Sequence, residues 1–348
     1  MAPKAEARTA LDEMASDGSF KRREAAWRNW IETSPTSKFQ PEADRYHLYV
    51  SMACPWAHRT LMVRALKGLE DVITVTVVHP TWRKTKPDDD ADKHTGWVFG
   101  NPGGAPFNNT IGLGGPFPAA FEVNKPDPHH EGTFSIRELY EKAGDVDGKY
   151  SVPILWDKKL QTIVSNESSD IIRMLNTEFN DFAKNPDLDL YAKHRRPQID
   201  EANEWIYPTI NNGVYRCGFA TSQGAYDKAI DELTASFDRV DSILQNQRYI
   251  AGNEFTEADI RLFVTLVRYD EVYNVYFKTN TRSVSTTPSI LNYCREIYQM
   301  PGVADTVNME QIKTHYYTSH PNYNRWSVIP RGNNFVGLLQ ESHDRDSL

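Results

Sequence analysis

The feature that most constrains the fold is a strand, a helix and a second strand that follow one another between residues 46 and 78. Residues 46–50 are aromatic and β-branched, as in a strand, and apolar residues recur at helical spacing from 55 to 69. Gly68 closes this helix, and residues 72–78 are again β-branched. This order and length predict a βαβ unit with parallel strands and a right-handed crossover.

The rest of the first half continues this α/β pattern after a long interruption. Residues 81–132 are rich in Gly and Pro and lack periodicity, so we interpret them as an insertion or covering loop. A helix follows at 135–142, then a hairpin of two antiparallel strands at 152–156 and 161–164. Residues 165–169 open a further helix.

The second half is predicted to be helical. From Tyr226 to Leu244 the apolar residues step by four and three, which indicates one buried stripe on a long helix. Residues 256–259 form a capping box, T-x-x-D, between Phe255 and Ile260, which are placed as a hydrophobic staple. We therefore predict an α/β domain followed by an all-helical domain. The predicted ranges are an extension at 1–45, the α/β domain at 46–182, the helical domain at 198–331 and a tail at 332–348.

Charge and hydropathy exclude several classes of protein. The chain has 348 residues, about twice a usual domain, and 39 Lys+Arg against 47 Asp+Glu give a net charge of −8. An acidic chain lacks the basic surface that nucleic-acid binding requires, so we expect no nucleic-acid partner. With a mean hydropathy of −0.60 and no long apolar run, we expect no membrane association. The polar start of the chain lacks an apolar signal core, which favours a cytoplasmic protein.

The three cysteines, Cys54, Cys217 and Cys294, cannot all pair, and none has C-x-x-C spacing to another. The sequence therefore predicts neither a disulfide framework nor a zinc site, and it favours a reducing compartment. The adjacent pair His129 and His130 is interpreted as solvated, so no metal is expected. The glycine-rich stretches have no phosphate-loop context, so no nucleotide is expected.

Cys54 lies between the first predicted strand and the first predicted helix, in the sequence C-P-W-A. A thiol at a helix N-terminus can have its pKa drawn from about 8.5 into roughly the 3.5–7.5 range, and the thiolate is the nucleophile. Ala57 stands where a dithiol oxidoreductase has its second cysteine, so an external thiol must resolve any mixed disulfide. The alternative is a small buried side chain at a strand end.

Two further positions are candidates for ligand binding. If the bond between Val152 and Pro153 is cis, the backbone of Val152 is presented to a peptide-like ligand, whereas a trans proline at a strand start is the ordinary alternative. Glu167 and Ser168 begin a helix, where they can bind the carboxylate and ammonium of an α-amino acid, or act only as a helix cap.

Together these motifs resemble the cytosolic glutathione transferases, and more narrowly the Xi class, the glutathionyl-hydroquinone reductases. The resemblance covers roughly residues 45–330, with one departure: Asn324 and Arg325 stand where the family has Asn-Pro. The segments that carry it are 49–59, 96–99, 136–140, 152–157, 162–168, 212–220, 268–273 and 315–317.

The resemblance implies a thioredoxin-like domain that binds glutathione as a co-substrate, an all-helical domain that carries an aromatic acceptor pocket, and a homodimer. It places Cys54 near the sulfur of glutathione. It assigns main-chain bonds to Val152, the γ-glutamyl end to Glu167 and Ser168, and a wall of the site to Trp97. The hydroquinone-binding residues that it implies are Tyr215, Tyr276, Tyr316 and Tyr317.

The activity implied is reduction of glutathionyl-hydroquinones through a mixed disulfide between Cys54 and glutathione, which a second glutathione resolves. One alternative is a general glutathione-dependent thiol transferase or dehydroascorbate reductase that uses the same cysteine. Another is a non-catalytic carrier of aromatic ligands. The natural quinone and the roles of the extension and the 81–132 loop stay open at this point.

Overall fold

The structure, a computed structural model, describes residues 6–348; residues 1–5 of the predicted extension lie outside the described residues. The chain divides into two compact units. Unit 1 takes residues up to Asp12, Glu24–Pro186 and Glu310–Pro330; unit 2 takes Glu13–Arg23, Asp187–Met309 and Arg331–Leu348. The predicted domain boundaries stay predictions. Within the described range, no helix is both long and apolar enough to cross a membrane.

Unit 1 contains a four-stranded mixed sheet, whose strands lie in the order β2 (Thr74–Val77), β1 (Tyr46–Val50), β5 (Ile154–Asp157) and β6 (Thr162–Ser165). β1 pairs with β2 in parallel and with β5 antiparallel, and β5 pairs with β6 antiparallel. The predicted βαβ unit and hairpin are therefore confirmed, and so is the thioredoxin-like fold. The six strands of the described residues are β1 Tyr46–Val50, β2 Thr74–Val77, β3 Arg83–Lys84, β4 Thr95–Gly96, β5 Ile154–Asp157 and β6 Thr162–Ser165.

The helices of unit 1 begin and end where local chemistry allows. α1 (Pro55–Leu66) starts at a proline, which has no N–H to leave unpaired, and ends before Gly68, whose φ is +65°. α2 (Ile136–Lys142) begins with a capping box between Ser135 and Glu138. The third helix, α3 (Ser168–Thr177), directly follows β6. A short 3₁₀ helix covers Ala10–Asp12.

The 81–132 segment is largely irregular, as predicted, but its last part is anchored to the sheet. His130 is buried, with its ring nitrogens 2.8 Å from Asp127 Oδ2 and 2.9 Å from Gln161 Oε1. The hydroxyl of Tyr49, on β1, donates to the Asp127 carboxylate at 2.9 Å. The interpretation of His130 as solvated is therefore wrong, because the ring fills a polar niche that sequence spacing does not reveal.

Unit 2 is helical, as predicted. The apolar stripe of α6 (Gln223–Leu244) is buried from Ile230 to Leu244, and the capping box of Thr256 and Asp259 is present. Two wide π-helical turns occur, at Tyr207–Asn211 and Tyr269–Tyr273. The helices that lie wholly in unit 2 are α4 Arg196–Ile206, α5 Gly213–Gly218, α6 Gln223–Leu244, α7 Glu257–Arg268, α8 Asn274–Tyr276, α9 Pro288–Gln299 and α11 Phe335–Leu339. A further helix, α10 (Met309–Thr318), begins with Met309 in unit 2, and its remaining residues belong to unit 1. Two 3₁₀ turns of unit 2 lie at Ala304–Thr306 and Arg345–Ser347.

Candidate active site

Cys54 is the N-cap residue of α1, directly after the loop that leaves β1. The backbone N–H of Cys54 donates to Ser51 O at 3.1 Å, which closes this loop. Its side chain is largely buried, with 8% of the residue exposed. The thiol therefore lies at the positive end of the α1 dipole, where an anionic sulfur is favoured.

Val152 is brought next to this thiol by the sheet. The Sγ atom of Cys54 lies 3.4 Å from the carbonyl oxygen of Val152, to which the thiol donates. The bond between Val152 and Pro153 is cis, one of the two alternatives that the sequence leaves open. The backbone of residue 152 and the candidate nucleophile are thus in direct contact.

Glu167 and Ser168 lie at the start of α3. Glu167 is the N-cap residue: its carboxylate accepts from Ser169 N at 3.0 Å and from Ser169 Oγ at 2.9 Å. The hydroxyl of Ser168 accepts from the buried guanidinium of Arg59 at 3.3 Å. A capping role for Glu167 is therefore present, while a role of either residue in binding glutathione stays a prediction.

Trp97 belongs to a cluster of four rings within unit 1. It stacks on His315 with ring centroids 4.5 Å apart, and Trp82 packs edge-on against it at 5.6 Å. His320 completes the cluster against Trp82 at 5.0 Å, and burial beside His315 holds the pKa of His320 well below its usual value. These contacts make Trp97 a rigid part of unit 1.

Tyr316 and Tyr317 are adjacent on α10 and both are buried. The ring of Tyr316 packs against His315 at 5.2 Å, which links this tyrosine to the cluster around Trp97. The backbone oxygen of Tyr317 accepts from Asn324 Nδ2 at 2.8 Å. This bond gives Asn324, which precedes the departure from the family pattern at Arg325, a role in ordering the segment after α10.

Tyr215 and Tyr276 lie in unit 2 and both pack against Phe277. Their ring centroids are 5.2 Å and 5.3 Å from that of Phe277. The guanidinium of Arg22 lies 4.8 Å from the centroid of Tyr215, a cation–π contact. Tyr215 is buried, whereas Tyr276 is partly exposed.

The two remaining cysteines are unlike Cys54. Burial raises the pKa of the Cys217 thiol to about 12 and raises the pKa of Cys294 well above its usual value. Neither is a thiolate near neutral pH, so both are chemically inert there. No disulfide joins any of the three cysteines. Among the described residues, no group of three or more His, Cys, Asp or Glu side chains is arranged to hold a metal ion.

Sequence reasoning missed two contributors to this region. Arg59 is assigned no role in the sequence analysis, yet its buried side chain reaches Ser168 and its guanidinium lies 4.4 Å from the centroid of the Trp56 ring. Helical periodicity could have predicted that Arg59 is buried, because this residue falls within the apolar run of α1. Trp82 was not singled out, since nothing in the 81–132 segment predicts its packing.

Comparison with known protein families agrees with this arrangement. The glutathione S-transferase N-terminal domain family matches residues 53–178, which include the candidate cysteine and the start of α3. The glutathione S-transferase C-terminal domain family matches residues 223–296, within unit 2.

Comparison with individual relatives identifies the class within this family. The chain is 43% identical over 345 residues to glutathionyl-hydroquinone reductase YqjG of Escherichia coli K12, covering 97% of this chain and 95% of the relative. The crystal structure of glutathione S-transferase Xi from Phanerochaete chrysosporium is 46% identical, with a TM-score of 0.80 over 92% of this chain and 95% of that chain. The glutathione-bound structure of YqjG has a TM-score of 0.79 over 92% and 96% of the two chains. The chain therefore belongs to the glutathione S-transferase family, in its Xi class.

Proposed function

We propose that this protein is a glutathionyl-hydroquinone reductase that uses glutathione as its co-substrate. The observation that carries the proposal is the placement of the Cys54 thiol at the N-terminus of α1 and 3.4 Å from Val152 O. A nucleophilic sulfur in contact with the peptide backbone of a strand start suits a sulfur-containing peptide. The identity of 43% with the E. coli glutathionyl-hydroquinone reductase supports the same reaction.

In the first half-reaction the Cys54 thiolate attacks the glutathionyl sulfur of the conjugate. A sulfur–sulfur bond forms and the bond between sulfur and the aromatic carbon breaks. The electron pair of that bond remains on the ring carbon, which takes up one proton, so the hydroquinone leaves reduced. In the second half-reaction the thiolate of a second glutathione attacks the mixed disulfide, releases oxidised glutathione and restores the Cys54 thiolate.

The glutathionyl part is held, in this proposal, by groups that unit 1 orders in advance. Val152 offers its main chain to the cysteinyl part, while Glu167 and Ser168 bind the γ-glutamyl end. Arg59 supports this assignment, because its guanidinium donates to Ser168 Oγ and fixes the hydroxyl at the start of α3. The aromatic stack on His315 suits Trp97 as a wall, since its ring is already held on one face.

The hydroquinone part is assigned to Tyr215, Tyr276, Tyr316 and Tyr317, as the family resemblance implies. A phenol hydroxyl can hydrogen-bond a hydroquinone oxygen and donate a proton to the leaving ring. Changing each tyrosine to phenylalanine should lower turnover of the conjugate without weakening binding of glutathione. An unchanged turnover number in all four variants would remove this assignment.

The decisive experiment compares the wild-type protein with Cys54→Ala and Cys217→Ala. Cys54→Ala should lose reduction of a glutathionyl-hydroquinone, whereas Cys217→Ala, which removes a thiol without nucleophilic character, should retain it. After a single exposure to the conjugate without free glutathione, mass spectrometry should find one glutathione adduct, on Cys54. Turnover by Cys54→Ala would contradict the proposal. A much faster rate with a small mixed disulfide than with the conjugate would favour the general thiol transferase.

Two further assignments belong to this proposal. A cytoplasmic location is supported by the need for a pool of reduced glutathione, which resolves the mixed disulfide. A homodimer is expected from the family resemblance. Light scattering after size-exclusion chromatography measures the assembly, and a mass near 39.8 kDa would contradict it.

A further inference from the structure

The N-terminal segment at residues 27–29 lies along β6, at one side of the sheet of unit 1. The N–H of Asn29 donates to Val164 O at 3.0 Å, and the N–H of Asn166 donates to Trp27 O at 3.0 Å. Arg28 forms an antiparallel bridge with Ser165 between these two bonds. The segment thus continues the hydrogen bonding of the sheet past its last strand.

Side chains fasten the same segment at two further points. Both Nε and Nη2 of Arg28 donate to the carboxylate of Asp170, at 2.7 Å and 2.8 Å, in the bidentate geometry that gives an arginine pair its specificity. Asp170 lies in the first turn of α3. The indole N–H of Trp27 donates to Asp145 Oδ1 at 2.9 Å, just after α2. The segment is therefore tied to the turn that begins α3 and to the end of α2.

Asn166 connects this segment to the two turns assigned to glutathione. Its Oδ1 accepts from Trp27 N at 3.1 Å, and its Nδ2 donates to the Tyr140 hydroxyl at 2.8 Å. The Tyr140 hydroxyl in turn donates to Ser151 O at 3.0 Å. Asn166 directly precedes Glu167, and Ser151 directly precedes Val152. One buried amide therefore couples the position of residue 167 to that of residue 152.

We infer that residues 27–29, together with Asn166 and Tyr140, position the glutathione site by holding the turns at residues 152 and 167 at a fixed separation. The inference rests on the proposed function, which assigns those two turns to glutathione. A tripeptide that is gripped at two points loses affinity when either point moves. In this way the N-terminal extension, which sequence analysis leaves without a role, acts on the binding of the co-substrate.

Three substitutions separate the links of this network. Asn166→Ala removes the amide that bonds to Trp27 N and to the Tyr140 hydroxyl. Tyr140→Phe removes the hydroxyl that joins Asn166 to Ser151 and leaves the bond between Asn166 and Trp27. Arg28→Ala removes the bond pair to Asp170 on the surface. Lys158→Ala is the matched control: it breaks another short ion pair of the same extension, with Asp44 at 2.7 Å, at the turn between β5 and β6. None of these side chains is assigned a contact with glutathione.

The test measures the dissociation constant of S-methylglutathione by calorimetry, because this probe cannot form a disulfide. Asn166→Ala should weaken binding about 10-fold, and Tyr140→Phe and Arg28→Ala about 3-fold each, while the Lys158→Ala control stays at the wild-type value. Steady-state kinetics should show the loss in KM for glutathione with little change in kcat. If Asn166→Ala fails to fold, the other two variants decide.

Wild-type affinity in Tyr140→Phe and Arg28→Ala would overturn the inference, as would an equal loss in Lys158→Ala, because the effect would then be one of general stability. The proposed reaction fails by a different result. A wild-type protein that binds S-methylglutathione but does not reduce a glutathionyl-hydroquinone contradicts the reaction and leaves the positioning role standing.

Discussion

Selective alkylation of the three thiols tests the chemical difference between Cys54 and the other two cysteines. Timed exposure of the folded protein to iodoacetamide at pH 7 should modify Cys54 and spare Cys217 and Cys294. The reason is that only a thiolate reacts, and burial sets the pKa of Cys217 at about 12 and that of Cys294 well above its usual value.

The size of the effect follows from these pKa values. At pH 7 a thiol with a pKa of about 12 is thiolate in about one molecule in 10⁵, against roughly 3% for a thiol with the ordinary pKa of about 8.5. Cys54 lies at a helix N-terminus, which favours the thiolate, so its thiolate fraction should be no smaller than the roughly 3% of an ordinary thiol. The thiolate fraction of Cys54 should therefore exceed that of Cys217 by at least about 10³. Because a thiolate of higher pKa is intrinsically more nucleophilic, part of this factor is lost, and we expect Cys54 to react at least about 10² times faster, before the further protection that burial gives Cys217.

Peptide mass spectrometry after quenching counts the adducts on each cysteine at several times and pH values. The rate at Cys54 should level off at a lower pH than that of an unperturbed thiol, because the N-terminus of α1 favours the thiolate. All three thiols should react once the protein is unfolded in urea. The reasoning is refuted if Cys217 in the folded protein reacts as fast as Cys54. It is equally refuted if the Cys54 rate keeps rising about tenfold per pH unit through pH 8, as it does below the pKa of an unperturbed thiol.

Two further predictions concern stability. In Gly218→Ala the new Cβ would lie 2.0 Å from the ring of Phe277, so we expect a loss of about 1–3 kcal/mol in the free energy of unfolding. The control Gly224→Ala, whose new Cβ would have nothing within 4 Å, should be neutral or stabilising. Equal melting temperatures of the two variants would contradict this prediction. Burial, with a smaller contribution from His129, lowers the pKa of His47 to about 3. Between pH 6.5 and 3 the folded state therefore binds fewer protons than the unfolded state, so the free energy of unfolding falls as the pH falls through this window. From pH 7 to 5 this one group should cost about 2 kcal/mol, and a denaturation midpoint whose pH dependence is no flatter in His47→Gln would contradict the assignment.

The elements that local sequence controls were predicted well. β1, α1 and the hairpin of β5 and β6 carry their own periodicity, their proline and their turn, so their type follows from neighbouring residues. The capping box at Thr256 likewise needs only residues within one helical turn. What could not be predicted depends on contacts between distant parts of the chain. The burial of His130 requires Asp127 to meet Tyr49, and no local pattern encodes that meeting.

The candidate site likewise contains features that neighbouring residues determine and features that depend on distant contacts. The residue types at Cys54, Val152 and Glu167 are recognisable because a strand or helix end places each of them. The support of Ser168 by Arg59 and of Trp97 by His315 is different in kind. Those pairs are separated by more than 100 residues, and only the folded chain shows that they touch.

The interleaving of the two units has a consequence for synthesis on the ribosome. Unit 1 includes Glu310–Pro330 as well as the first half of the chain, so it lacks His315 until most of the protein has been made. Because translation proceeds at about 5–20 residues per second, at least several seconds pass between synthesis of the sheet and synthesis of His315, whose ring stacks on Trp97. A nascent chain arrested at residue 186 therefore lacks the ring that covers one face of that indole, and we expect a peptide carrying α10 to bind a fragment that ends there.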